Sequence, residues 1–117
     1  MSKILIVDDD KATATLLRTL FELEGLDCAI SSHADEVIAD AQRAKPDLLL
    51  MDAHLAEVDS LGILRQIKTD SHLGAIPIVI VSGMDRSAEF IDAGAADFIL
   101  KPFKPADLMA ILRRHLK

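Results

Sequence analysis

Four apolar runs in this 117-residue chain each end in residues that can do chemistry. Ile4-Leu5-Ile6-Val7 runs into Asp8-Asp9-Asp10, Leu48-Leu49-Leu50-Met51 into Asp52, Ile78-Val79-Ile80-Val81 into Ser82, and Phe98-Ile99-Leu100 into Lys101. Continuous apolar runs of this length read as strands buried on both faces. In open α/β sheets, ligands bind in the crevice beyond the carboxyl ends of the strands, which is where these polar residues would fall. Ionised, Asp8, Asp9, Asp52 and Lys101 bring three negative charges and one positive. One divalent cation would cancel the excess. Mg2+, or Mn2+ in its place, suits such a set, because magnesium takes a few carboxylates and keeps waters or substrate phosphate oxygens as its other ligands. A carboxylate can attack phosphorus and form an aspartyl-phosphate when cations neutralise the transferring oxygens. Lys101 and the metal would supply those cations, and Ser82 a hydroxyl to a phosphoryl oxygen.

Each residue also has an ordinary explanation. Acids at Asp8 to Asp10 are welcome at the start of a helix, as N-cap or beside the positive end of its dipole. Asp10 is expected only to cap or to face solvent. Asp52 alone could be a turn or cap residue, Ser82-Gly83 an ordinary turn, and Lys101-Pro102 a common dipeptide. The conjunction favours chemistry, since four separate strand ends each deliver a residue suited to one reaction.

The segments between these runs must bring the ends together. Leu16, Leu17, Leu20, Phe21 and Leu23 recur at helical spacing from Lys11 to Glu24, with Gly25 placed to stop the helix. Asp27 to Ser31 is shorter and more polar, as an edge strand is. A helix is predicted over 34–44 with Val37, Ile38 and Ala41 inward, ending before Pro46. A loop over 53–59 leads to a third helix carrying Leu61, Ile63, Leu64 and Ile67, which closes near Ser71 to Gly74. A short helix from about Arg86 to Ala93 reaches Gly94, a C′ residue. The last helix begins at Pro105, a favoured first-turn position, and is expected to bury Leu108, Ile111, Leu112 and Leu116. Five strands alternating with five helices, on connections this long, require parallel right-handed crossovers. The fold class is a doubly wound α/β domain.

Composition sets bounds on function. Residues 1–117 are expected to form one domain burying roughly two thirds of its unfolded surface. Half the residues are hydrophobic, which argues against disorder. No apolar run approaches the roughly 18 residues of a membrane span. The start, Met1-Ser2-Lys3-Ile4, enters a strand with no leader pattern, and the lone Cys28 fits a reducing compartment. A cytoplasmic location is the expectation. Thirteen Lys and Arg against nineteen Asp and Glu leave a formal charge of −6, which offers no basic face to nucleic acid.

Together the stretches ILIVDDD, LLLMD, IVIVSG and AGAADFILKPF resemble the receiver domain of two-component response regulators, of the chemotaxis-regulator type, over essentially the whole chain. The resemblance implies a flavodoxin-like sheet of order 2-1-3-4-5. It implies Asp52 as phosphoacceptor, Asp9 as a direct magnesium ligand with Asp8 acting through water, and the backbone carbonyl of His54 as a further ligand beside Asp52. It matches Lys101 to a phosphate-pairing lysine held by a cis bond to Pro102, and Ser82 and Phe98 to a switch pair. In that pair the hydroxyl moves toward the phosphoryl group and the aromatic turns inward; a plain core role for Phe98 stays open. The implied partners are a sensor histidine kinase or histidine phosphotransfer protein and a downstream protein target. Direct nucleic-acid and membrane contacts are not expected. Such a domain is a signalling phosphoacceptor rather than an enzyme, with self-phosphorylation from small phosphodonors and autodephosphorylation expected.

Departures from the family pattern are local. After the phosphoacceptor, Leu55-Ala56 and Asp59-Ser60 stand where Met-Pro and Asp-Gly are usual. Good helix formers there predict a more mobile loop or an earlier helix start. From Ser82 to Lys101 the chain is about three residues short, nearly one helical turn. The fourth helix or its preceding loop must be cut back, at part of the output face. His54 and Met84, two residues after Asp52 and Ser82, bear on rates: Met84 cannot orient an attacking water, so slow dephosphorylation is expected.

Two other functions compete. A haloacid-dehalogenase-like phosphatase would use Asp8 as nucleophile in Asp8-Asp9-Asp10, but Ala12 stands where Thr or Val is usual, and neither a later acidic pair nor a cap domain is seen. A pseudo-receiver would use the same fold as a phosphorylation-independent scaffold. Glycine-rich dinucleotide and P-loop fingerprints are missing after the first strand.

Overall fold

The structure is a computed structural model and describes residues 2–116. Five parallel strands form one sheet: β1 (Lys3–Val7), β2 (Asp27–Ser31), β3 (Leu48–Asp52), β4 (Ile78–Ser82) and β5 (Asp97–Leu100). Their order is β2-β1-β3-β4-β5, the order the resemblance implied. The helices are α1 (Lys11–Leu23), α2 (Val37–Ala44), α3 (Ser60–Thr69), α4 (Ser87–Asp92) and α5 (Pro105–His115).

The apolar runs are continuous because both faces of the sheet are covered, yet alternation still sorts their side chains. Leu5, Val7, Leu49, Met51, Ile78 and Ile80 pack with Val37, Ala41, Ile63, Leu64, Ile67 and Phe90, from α2, α3 and α4. Ile4, Ile6, Leu48, Leu50, Val79, Val81 and Ile99 pack on the other face with Ala14, Leu17, Phe21, Leu108 and Leu112, from α1 and α5. Burying one such side chain is worth about 1.5–3 kcal/mol. Truncating Leu50, at 2 % exposure in the central strand, to alanine should cost about 2–5 kcal/mol.

Local chemistry sets the helix ends. Asp10 is the N-cap of α1: its carboxylate accepts from the Ala12 amide at 3.0 Å and the Thr13 hydroxyl at 3.0 Å. Gly25 follows that helix at φ +81°, where a side chain would be strained. Pro105 occupies the first turn of α5, and Arg113, Arg114 and His115 occupy its last, where cations favour the helix dipole. Asp97 anchors that end, 3.0 Å from His115 Nε2 and 3.1 Å from Arg114 Nη1.

Several expectations are corrected. Residues Ala34–Glu36 form a 3-10 turn, and α2 begins only at Val37. In α1 the buried stripe is Ala14, Leu17 and Phe21, while Leu16 and Leu23 are 70 % and 79 % exposed. Two apolar faces compete in that helix, and only one meets the sheet. Ile111 of the last helix and Leu116, which follows its end, are half-buried at the core margin, whereas Met109 is buried. The segment after Asp52 neither extends the helix nor lacks structure. His54–Leu55 pairs antiparallel with Val58–Asp59, Ala56 turns at φ +55°, and Leu55 is 1 % exposed. Burying Leu55 outweighs the helix propensity of Leu55-Ala56, because propensity is a weak prior against tertiary packing. The fourth helix is indeed short, at six residues.

Candidate functional site

All the strand ends lie on one edge, held in register by the backbone. The Asp8 amide donates to Ser31 O at 3.1 Å, Ala53 to Val81 O at 2.8 Å, and Lys101 to Ser82 O at 2.7 Å. Alternation then divides the chemistry between faces. Asp8 continues the parity of Ile4 and Ile6, Asp52 that of Leu48 and Leu50, and Lys101 that of Ile99, all on the α1/α5 side. Ser82 continues Ile78 and Ile80, and Phe98 packs with the same cluster on the α2–α4 side.

On the first side Asp8, Asp52 and Lys101 line a cleft of about 450 Å³, with Thr13, Leu17 and Phe103 among its walls. Lys101 Nζ donates to Asp52 Oδ2 at 2.7 Å, and the His54 amide donates to Oδ1 at 3.0 Å. Asp52 is 16 % exposed and Lys101 38 %, so the pair is reachable from solvent. Asp8 is buried; its Oδ1 accepts the Asp10 amide at 2.9 Å. Burial holds the Asp8 carboxyl above its usual range, opposed by that amide and reinforced by the negative charge of Asp52. The peptide bond from Lys101 to Pro102 is cis.

Asp9 is exposed and lines a neighbouring recess with His33, Asp35, Leu55, Ala56 and Val58. The Asp10 side chain caps α1 and does not line the cleft; only its backbone amide reaches Asp8. Ser82 is 2 % exposed, and its Oγ accepts the Met84 amide at 3.1 Å. Phe98 is half-buried, its ring 6.2 Å from that of Phe90. Met84 itself is 66 % exposed. His54 points no buried group at Asp52; it contributes its backbone to the site and its side chain is exposed.

Among the described residues, no three His, Cys, Asp or Glu side chains converge on one metal position. Magnesium does not require three, since one or two carboxylates plus waters and phosphate oxygens suffice. The donor set fits: hard oxygens, an acid uncomfortable in its burial, and a single ammonium against several carboxylates. Asp8 and Asp52 would face the ion from the cleft, and Asp9, in the neighbouring recess, is the further carboxylate that the resemblance implies.

Two supporting residues escaped the sequence. Ser60, fully buried at the start of α3, donates its hydroxyl to Asp52 O at 2.5 Å and its amide to Ala53 O at 2.8 Å. These bonds fix the backbone that carries the acid. Arg86 ties Asp59 to Glu89. Nothing local in the sequence signals the Ser60–Asp52 or the Arg86–Asp59 contact, because the partners are eight and 27 residues apart; only the Arg86–Glu89 pair, three residues apart, is local.

Residues 4–113 match the family model of the response regulator receiver domain. The DNA-binding response regulator MtrA of Mycolicibacterium paratuberculosis is 31 % identical over 118 residues, covering 98 % of this chain and 51 % of its own. The chain therefore spans about half the length of that relative. The BeF3-activated N-terminal receiver domain of Klebsiella pneumoniae RstA superposes with a TM-score of 0.89 at 31 % identity, covering 99 % of each chain. The receiver domain of the sensor histidine kinase PA1611 from Pseudomonas aeruginosa, whose active-site cleft coordinates a magnesium ion, gives 0.85 at 27 % identity, covering 97 % of this chain and 95 % of its own.

Proposed function

The chain belongs to the response regulator receiver domains of two-component signalling, and from that premise we propose that Asp52 is its phosphoacceptor. The observation that carries the assignment is the 2.7 Å contact between Lys101 and Asp52, reaching across the end of β4 from the strands on either side of it, beside the buried acid Asp8. An Asp52 carboxylate oxygen forms a bond to phosphorus while the bond from phosphorus to the donor's histidine nitrogen breaks. Lys101 meets the charge on the transferring oxygens. Asp9, Asp52, the backbone carbonyl of His54 and, through water, Asp8 would hold a magnesium ion, which would supply further neutralisation of those oxygens. Ser82 donates its hydroxyl to the phosphoryl group once its loop approaches, and Phe98 follows into the space vacated. The product is a change of charge at one edge that biases a two-state element, read by a protein partner.

The donor is a sensor histidine kinase or a histidine phosphotransfer protein, and the setting is the cytoplasm. Small phosphodonors serve in vitro. Among the described residues no helix is long and apolar enough to cross a membrane. The phosphatase alternative, with Asp8 as nucleophile, lapses with the family membership, and Asp8 is the more buried of the two acids in the cleft.

The test is incubation with acetyl phosphate and magnesium followed by intact-mass measurement. Wild type should gain a phosphoryl group, Asp52→Asn none, and Asp8→Asn much less. An adduct that survives Asp52→Asn overturns the assignment. A wild type that takes no phosphoryl group yet binds a partner is a scaffold instead.

A further inference from the structure

Arg86 lies outside the cleft, at the residue before α4, yet it is the most heavily bonded cation on this edge. Its Nη1 and Nη2 donate to Asp59 Oδ1 and Oδ2 at 3.2 and 2.9 Å, a two-pronged contact. Its Nε and Nη2 also donate to Glu89 Oε2 and Oε1 at 2.8 and 3.4 Å. The guanidinium carbon sits 5.0 Å from the centre of the Phe90 ring. Between two carboxylates and a ring the side chain is 13 % exposed, while Asp59 and Glu89 stay about half exposed at 50 % and 54 %.

An exposed ion pair is ordinarily worth little. The forked geometry, the shielding of the guanidinium and the aromatic surface beneath it distinguish this one. Its position matters more. Asp59 belongs to the hairpin that leaves Asp52 and caps α3, whose first residue, Ser60, grips the Asp52 carbonyl. Arg86 belongs to the loop that leaves Ser82. Phe90, fully buried, passes from the guanidinium to the ring of Phe98. A continuous run of contacts therefore joins the phosphoacceptor loop to the aromatic residue on the far side of Ser82.

We propose that Arg86 is a positioning residue that locks the loops after Asp52 and Ser82 into one body and, through Phe90, passes rearrangement at the phosphoacceptor to Phe98. The inference rests on Asp52 being the phosphoacceptor. Contact alone does not establish coupling, so the measurement must show that both ends bias the same element.

The test uses the full chain with magnesium and acetyl phosphate, intact mass for occupancy, and amide NMR shifts at Ser82 and Phe98 for the response. Arg86→Gln and Asp59→Asn, the latter keeping a capping side chain, should accept the phosphoryl group and retain the Ser82 response. The phosphorylation-induced shift at Phe98 should fall roughly threefold in each, and the double variant should lose no more than either single. Arg86→Lys, which keeps the charge without the fork, should fall between. If Arg86→Gln does not fold, Asp59→Asn opens the same bridge from its other end. A wild-type Phe98 response in both single variants, or losses that sum in the double, overturns the coupling and leaves the phosphoacceptor assignment standing. Failure of wild type to form any adduct overturns both.

Discussion

On the α1/α5 side of the sheet, Asp8 and Asp52 share a cleft with one ammonium, and burial holds the Asp8 carboxyl above its usual range. On the opposite side, Asp59 and Glu89 share one guanidinium, and both carboxyls are held below theirs by its hydrogen bonds. The two regions are neighbours on one edge with opposite electrostatic character. Each has two carboxylates to one cation, but in the cleft one acid, Asp8, is buried without a cation bonded to it, a stress that a metal ion would relieve. The clasp is already satisfied, which suits a part that transmits rather than reacts. Function and stability are in conflict at the first and aligned at the second.

The largest effect is expected at the proposed phosphoacceptor: Asp52→Asn should abolish the phosphoryl adduct, read by mass. A smaller effect is expected at Met84, whose exposed thioether cannot orient water. Met84→Gln should shorten the phosphoryl lifetime several-fold, followed as decay of the adduct; an unchanged or longer lifetime would remove Met84 from the account of rate. Asp8→Asn should raise Tm at pH 7 by a few °C, the shift that about 1 kcal/mol produces in a domain of this size. The sign follows from linkage. A carboxyl with a raised folded-state pKa favours the folded protein when protonated, and that advantage is lost as pH rises through the raised value. The gap between Asp8→Asn and wild type should therefore close on acidification.

Glu89→Gln should change Tm least, and downward. Its folded-state pKa is depressed, so its contribution is present above the unfolded pKa and lost as pH falls through the folded one. Thermal melts from pH 7 downward should thus show two differences of opposite sign, both vanishing in acid. A destabilising Asp8→Asn would mean that the cleft is not under electrostatic stress.

Much of the reactive edge, on both faces of the sheet, was legible in the sequence because apolar runs fully buried in a parallel sheet show where each strand stops. Asp8, Asp52, Ser82 and Lys101 followed from that alone. The division between faces was also implicit, since alternation continues through each run to its last residue. What could not be read was set by contacts across the chain. Arg86 finds Asp59 only because α3 and α4 lie side by side, and Ser60 finds the Asp52 carbonyl only after the hairpin folds back. Leu16 and Leu23 misled because helical spacing identifies an apolar face without saying which face meets the sheet. The hairpin itself was misread, as Ala56 adopts a positive φ that local propensity does not favour.

The division of reactive and switch residues between the two faces also constrains how such a chain can change its length. Adding or deleting one residue within β3 or β4 would carry every later side chain of that strand to the other face. Asp52 would then leave Lys101, or Ser82 would turn away from Phe98. Segments beyond the strand ends carry no such parity. The stretch around the six-residue α4 can therefore change length while the register of the strand-end residues is kept.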